Sequence, residues 1–325
     1  MRRASPRLAS VLFAASLLWT SACSSGQAAG DTVTSPAPAG ETASALGTHE
    51  VSTRTLDLSD PSRTTDPTPD TPGDETQGRD LPTDIWYPAG DGPFPVIVFS
   101  PGVQTLPAGY EDLLSGWASA GFVVVAPTFP LTNRDAERIV FTDILNQPAD
   151  VSFVLDEVLD LNATPGDALE GKLDAAHIGA AGHSGGAITT LLLMTTCCAD
   201  ARFSAAVVLS GTLEITGLSA DFTTPGTPTL VEHGTADDTI ALADSRSTYA
   251  ALPGPKAFVT LSGATHSTPY QNDPADENFP TVLSTTTDFL RGALAGDSAA
   301  LTEFRDILSG KESTRLTDDQ LGDGG

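Results

Sequence analysis

Six short apolar runs, separated by segments of helical period, set the tightest limit on what this chain can fold into. The runs cover residues 94–99, 121–126, 177–182, 205–209, 229–232 and 256–261, and turn residues such as Ser100-Pro101-Gly102, Pro127, Ser210-Gly211 and Ser262-Gly263 bound them. Runs this short, apolar at most positions, suit strands buried on both faces, as parallel strands are. Helix-period segments fall between them at residues 110–120, 149–161, 185–194, 238–252 and 281–294. Strand alternating with helix implies right-handed crossovers and a mostly parallel sheet with helices on both faces, an α/β architecture. Extended pieces near residues 50–58 and 81–87 are expected to add antiparallel strands at one edge. No repeat is visible.

Composition bounds the rest. Of 325 residues, 40% are hydrophobic and 18% charged, which fits a globular chain and argues against a fibrous or multi-spanning one. Sixteen basic residues face 42 acidic ones, a net charge of −26. Such a field repels phosphate backbones and anionic headgroups, so nucleic acid is excluded as a partner. The acidity itself reads as solubility.

The N-terminus reads as an address. Arg2 and Arg3 precede a mostly apolar stretch, residues 8–19, that is too short to span a bilayer. It closes on Thr20-Ser21-Ala22-Cys23, which resembles the lipobox of bacterial lipoproteins, although Thr20 stands where Leu is usual. The resemblance implies cleavage after residue 22, acylation of Cys23 and a stable lipid anchor, the chain's only membrane contact. The alternative is a plain secretion signal with an incidental Cys. Losing residues 1–22 removes Arg2, Arg3 and Arg7 and no acid, which takes the charge to −29. Residues 23–46, rich in Gly, Ala, Ser, Thr and Pro, read as a tether, and residues 47–310 as one large domain. Residues 60–80 are expected to be a loop between early strands. Residues 311–325 are expected to be a polar, fraying tail. Cys197 and Cys198 read either as two small buried residues at a helix end or as a vicinal disulfide. Two ligands with no nearby His do not make a metal site.

Chemistry gathers where the apolar runs end. Gly182-His183-Ser184-Gly185-Gly186 fits Gly-x-Ser-x-Gly, with a strand pattern running in and a helix pattern running out. A Ser there sits on a tight turn that exposes its hydroxyl. A serine hydroxyl needs a base, and of the five His, His266 follows the last apolar run, where the base of this arrangement falls. His177 and His233 read as strand-end residues, His183 as pointing away from the hydroxyl, and His49 as lying before the domain. The acid falls between Ser184 and His266, where His233-Gly234-Thr235-Ala236-Asp237-Asp238 supplies two carboxylates. The other of the pair is left to cap the next helix or to face water. Backbone N–H groups of Gly185 and Val103 are the expected oxyanion donors. Residues 132–147, with Arg134 and Arg138, form a candidate rim or an ordinary solvated loop.

These residues resemble the α/β-hydrolase superfamily over about residues 80–295. Within it the chain is similar to the bacterial branch of dienelactone hydrolases, platelet-activating-factor acetylhydrolases and cutinase-like polyester hydrolases. The matching pieces are Val98-Phe99-Ser100-Pro101-Gly102, Ala120-Gly121-Phe122-Val123-Val124, residues 182–186, residues 233–238 and Gly263-Ala264-Thr265-His266. Many relatives carry His-Gly where this chain has Pro101-Gly102. The form His-Gly-x-x-Asp assigns the acid to Asp237, whereas Asp-Thr-Ile-Ala assigns it to Asp238; the preceding His233-Gly234 favours Asp237. The resemblance implies hydrolysis of carboxylic esters, small-molecule, lipid or polyester, through an acyl-serine intermediate by an exported monomer with neither cofactor nor metal. A peptidase of the prolyl-oligopeptidase type and a non-catalytic binding lipoprotein are the alternatives. The first lacks room for that family's propeller, and the intact Ser, Asp and His set argues against the second.

Overall fold

Every apolar run becomes a strand at the centre of one sheet. The computed structural model describes residues 48–65, 76–217, 220–273, 275–309, 314–319 and 321. The expected signal, tether and Cys23 lie outside the described residues. Nine strands are described: β1 (Val51–Thr65), β2 (Thr76–Pro88), β3 (Phe94–Ser100), β4 (Val123–Pro127), β5 (Leu173–His183), β6 (Phe203–Leu209), β7 (Thr229–Gly234), β8 (Lys256–Leu261) and β9 (Thr314–Asp319). Their order is β1-β2-β4-β3-β5-β6-β7-β8-β9. The six central strands run parallel, while β2 pairs with β4, β1 with β2 and β9 with β8 in antiparallel fashion.

Helices cover both faces: α1 (Glu111–Ser119), α2 (Gln147–Leu161), α3 (Gly185–Leu192), α4 (Leu242–Ala251), α5 (Phe279–Ala295) and α6 (Ser298–Ser309). Side chains alternate across a strand. On β3, Ile97 and Phe99 therefore join Leu113 and Trp117 of α1 and Phe289 of α5, while Val96 and Val98 join Val151, Val154 and Val158 of α2. Double coverage is why these strands are apolar at consecutive positions. Each such side chain contributes about 1.5–3 kcal/mol on full burial. Every residue of α3 is buried, as its all-round apolar character requires.

Four expectations need correction. The stretch 60–80 is largely strand, because β1 runs on to Thr65 and β2 starts at Thr76. Asp60 and Arg79, polar enough to suggest a loop, are buried in an ion-pair cluster. Arg79 chelates Asp143 with both terminal nitrogens at 3.0 Å and holds Asp150 at 2.7 Å through Nε and Nη2. Arg63 joins Asp150 and also Asp60, at 2.7 Å. Within the expected tail, residues 314–319 form a strand that extends the sheet on β8. Helix α4 starts at Leu242, four residues later than the pattern indicated. Finally, Cys197 and Cys198 form a vicinal disulfide, Cys197 exposed and Cys198 half-buried, which overturns the reading as two buried thiols. Helix α6, which the sequence analysis did not pick out, lays Ala300, Leu301, Phe304 and Leu308 against the fold.

Candidate active site

The parallel strands deliver their C-terminal ends, and the loops that follow, to one rim of the sheet. At its centre, β5 ends at His183 and α3 begins at Gly185, so Ser184 alone makes the turn. Its φ of 54° and ψ of −119° lie where a side chain is strained by about 1–3 kcal/mol. The surroundings enforce it. The Ser184 amide donates to the Leu209 carbonyl at 2.9 Å, and the Ser184 carbonyl accepts from Ile188 at 3.1 Å. A Cβ on Gly182 would stand 2.2 Å from the Gly186 oxygen, and one on Gly186 1.8 Å from the Ser100 oxygen. Only glycine lets strand and helix approach this closely.

The loops after β7 and β8 are knitted together. The Ala236 amide donates to the Ala264 carbonyl at 3.0 Å, and Gly263 donates to Thr235 Oγ1 at 2.8 Å. A Cβ on Gly234 would meet the Ala264 oxygen at 2.2 Å. This contact carries His266 between the other two groups. His266 Nε2 lies 2.8 Å from Ser184 Oγ, and Nδ1 lies 2.8 Å from Asp237 Oδ2. Asp237 Oδ1 accepts from the Thr239 and Ile240 amides, each at 2.9 Å. Burial opposes charge on this carboxyl. Hydrogen bonds from His233, His266 and the Ile240 amide outweigh it and hold the group well below the usual carboxylate range.

Asp237, not Asp238, meets the imidazole. Asp238 is exposed and its carboxylate accepts only a long 3.4 Å bond from the Thr239 hydroxyl. It does not cap α4, because the helix starts at Leu242 and Asp237 itself takes the turn amides. His177 is exposed and bonded to Asp174 at 2.7 Å. His49 lies at the sheet edge, with its ring on the Ala89 carbonyl at 3.0 Å and its backbone amide on Ser119, so it belongs to the domain. His183 points both ring nitrogens away from Ser184, toward Tyr110 and the His266 carbonyl.

The two expected donors converge. Gly185 lies so close to Val103 that a Cβ on it would stand 3.4 Å from the Val103 nitrogen and 2.7 Å from Val103 Cγ2. Neither amide has a protein acceptor among the described residues. Ile144 Cδ1 would be 3.1 Å from the same Cβ, so the 132–147 segment is a rim of the site. Both its ends are pinned. Gln147 donates to Thr132 at 2.8 Å and accepts from Thr189 of α3.

Two contributors escaped the sequence reading. Ile144 sits in a 3-10 turn, Phe141–Leu145, with no local signature. His233, read as a strand-end residue, places its Nε2 3.0 Å from the Ile240 carbonyl and 3.2 Å from Asp237 Oδ2. The four-residue spacing between His233 and Asp237 was its available signal. Among the described residues no group of three His, Cys, Asp or Glu side chains could hold a metal ion.

Sheet order, elbow and loop positions together define an α/β-hydrolase fold. Residues 62–223 match the model of the chlorophyllase family. The matched span contains Val103, Ser184 and Gly185 and stops short of Asp237 and His266. No curated protein matches the chain.

Proposed function

We propose that the chain is an exported serine hydrolase that cleaves carboxylic esters through an acyl-serine intermediate. The observation that carries this reading is the unbroken line of Asp237, His266 and Ser184, each step 2.8 Å. His266 Nε2 takes the hydroxyl proton as Ser184 Oγ attacks the ester carbonyl, and returns it to the departing alcohol oxygen. Asp237 holds Nδ1–H and stabilises the imidazolium. The Val103 and Gly185 amides receive the oxyanion, where loss of one donor typically costs about 10²–10³ in turnover. Water then attacks the acyl-serine by the same route in reverse. Val103 and Ile144, both apolar, wall this point and favour an apolar acyl group. The chlorophyllase-family match supports ester hydrolysis as the reaction class, and the Pro101-Gly102 turn supports a cutinase-like relative that acts on lipid or polyester esters.

Nitrophenyl esters of graded chain length test the reaction together with fluorophosphonate labelling. Ser184→Ala should lose labelling and several orders of magnitude of turnover while melting as the wild type does. Retention of more than about a tenth of the turnover refutes the assignment. Cys23 and the residues before it support anchoring of the exported protein to a membrane by lipid. Detergent-phase partition of the wild type, lost in Cys23→Ser, is the expected result. A mature N-terminus other than Cys23 overturns it.

A further inference from the structure

His183 and Tyr110 lie between two loops of the proposed site, and the scheme above uses neither. His183 is 1% exposed, and its ring centroid is 4.9 Å from that of His266. Its Nε2 lies 2.7 Å from the backbone carbonyl oxygen of His266, and its Nδ1 lies 2.8 Å from Tyr110 Oη. A carbonyl oxygen only accepts, so Nε2 carries the hydrogen. In a neutral imidazole Nδ1 is then the acceptor, and the Tyr110 hydroxyl donates to it. Burial, with the His266 ring beside it, lowers the His183 pKa to about 3, so the ring stays neutral. The Tyr110 oxygen in turn accepts from the Gly102 amide at 3.1 Å.

The result is a directional chain: the Gly102 amide donates to Tyr110, Tyr110 to His183, and His183 to the His266 carbonyl. Its ends are the loop after β3 and the loop after β8. Gly102 adjoins Val103, the proposed oxyanion donor; His266 is the proposed base. The links are held in place. Tyr110 packs on Phe99 with centroids 4.8 Å apart, and His183 lies 5.1 Å from the Tyr270 ring. A Cβ on Gly102 would crowd His183 Nδ1 and Tyr110 Oη, both at 3.1 Å.

We propose that His183 and Tyr110 are positioning residues that set the base loop and the oxyanion loop at a fixed separation. This rests on the reading of Ser184, His266 and Val103 as reacting groups. Base and oxyanion donor must serve one carbonyl carbon at once, and a misplacement of about 1 Å can cost about 10² in rate. The same bonds occupy both nitrogens of His183. An imidazole next to the nucleophile in sequence is thereby kept from acting as a rival base.

The test compares wild type, Ser184→Ala, Tyr110→Phe, His183→Gln and the Tyr110→Phe/His183→Gln double variant on nitrophenyl butyrate. Tyr110→Phe keeps the ring and removes one hydroxyl. It should lower kcat about 10- to 100-fold with KM little changed, the signature of a loss felt in the transition state. His183→Gln keeps a donor for the His266 carbonyl, and its one acceptor, Oε1, sits beside that donor and no longer where Nδ1 met the Tyr110 hydroxyl. Both variants break one chain, so the double variant should be no slower than the slower single one. Wild-type kcat in Tyr110→Phe overturns the proposal, as do additive losses in the double variant. So does a lowered melting temperature with kcat unchanged. If His183→Gln does not fold, Tyr110→Phe alone decides. Full activity in Ser184→Ala sinks the functional reading and this proposal together. An inactive Ser184→Ala beside a fully active Tyr110→Phe sinks only this proposal.

Discussion

On β5 and β6, Ile178, Ala181, Val207 and Val208 are wholly buried; on β1, Thr55, Asp57 and Ser59 face solvent between half-buried Leu56 and Leu58. The central strands are held by apolar contact on both faces. The β1–β2 edge, beyond the apolar side chains such as Leu81 and Ile85 that it buries, relies on its backbone ladder and on polar ties, with Thr55 on Asp84 at 2.6 Å, Ser59 on Asp80 at 2.8 Å and the Arg79 cluster beneath. The difference separates two kinds of vulnerability. Near the centre, where the site sits, a substitution can stop chemistry without loosening the fold. At the edge, a substitution should loosen the fold first.

Four substitutions probe that division. The largest effect is expected from Asp237→Asn, which frees His266 to adopt the wrong tautomer. In a related triad such a change costs about 10⁴ in turnover. Melting should barely move, and rapid hydrolysis by this variant would show that the carboxylate is idle. Next comes Arg79→Met at the edge. It leaves buried Asp143 without a cation and Asp150 with Arg63 alone, and breaking a buried pair typically costs about 3–5 kcal/mol. Denaturant melts should register this loss, while turnover of the folded fraction changes far less than in Asp237→Asn. A larger loss of turnover than of stability would merge the two regions.

Glu232→Gln is a subtler probe at the centre. Glu232 is fully buried, and burial pushes its pKa up to about 8 against only the hydrogen bond from Thr285, at 2.6 Å. Below pH 4.5, its ordinary value, both folded and unfolded chains hold this proton. Between there and about 8 the unfolded chain releases a proton that the folded chain keeps, so stability falls as pH rises through that window. Glu232→Gln should remove this share of the fall, visible as melting temperatures that converge with the wild type at low pH and exceed it at pH 8. Parallel melting curves across the range would contradict a buried neutral carboxyl. The smallest effect belongs to Asp238→Asn. An exposed carboxylate with one long hydrogen bond should shift stability by no more than about 0.5 kcal/mol and leave turnover alone.

The same division explains what was legible in the sequence. Strands buried on both faces carry apolar residues at most consecutive positions, and β3 to β8 were readable for that reason. On β1 only some positions meet the core, so a stretch such as Ser59-Asp60-Pro61-Ser62 looks like a turn, and Thr317-Asp318-Asp319 in β9 reads from its composition as a tail. Arg79 is the extreme case, because its burial depends on Asp143 and Asp150, more than sixty residues away, and no local pattern reports such a pairing. The site was readable where chemistry constrains neighbours along the chain: the glycines around Ser184, and His233-Gly234 before Asp237. It was unreadable where a contact joins separate segments, as with Ile144 over Gly185 and Tyr110 on His183.

That reliance on distant segments also bears on how the chain comes to be folded. The Trp117 indole donates to Thr286 at a sequence separation of 169 residues, and Asn272 binds Ala108 across 164. Folding slows as the average loop that must close grows longer. Helix α1 can pack on β3 and β4 as they emerge, but its contacts with α5 wait until that helix follows, so most of the polypeptide is synthesised before its core can close. A translocation channel takes extended chains. The long-range tie between α1 and α5 thus leaves a period in which the export proposed above can act on an unfolded polypeptide.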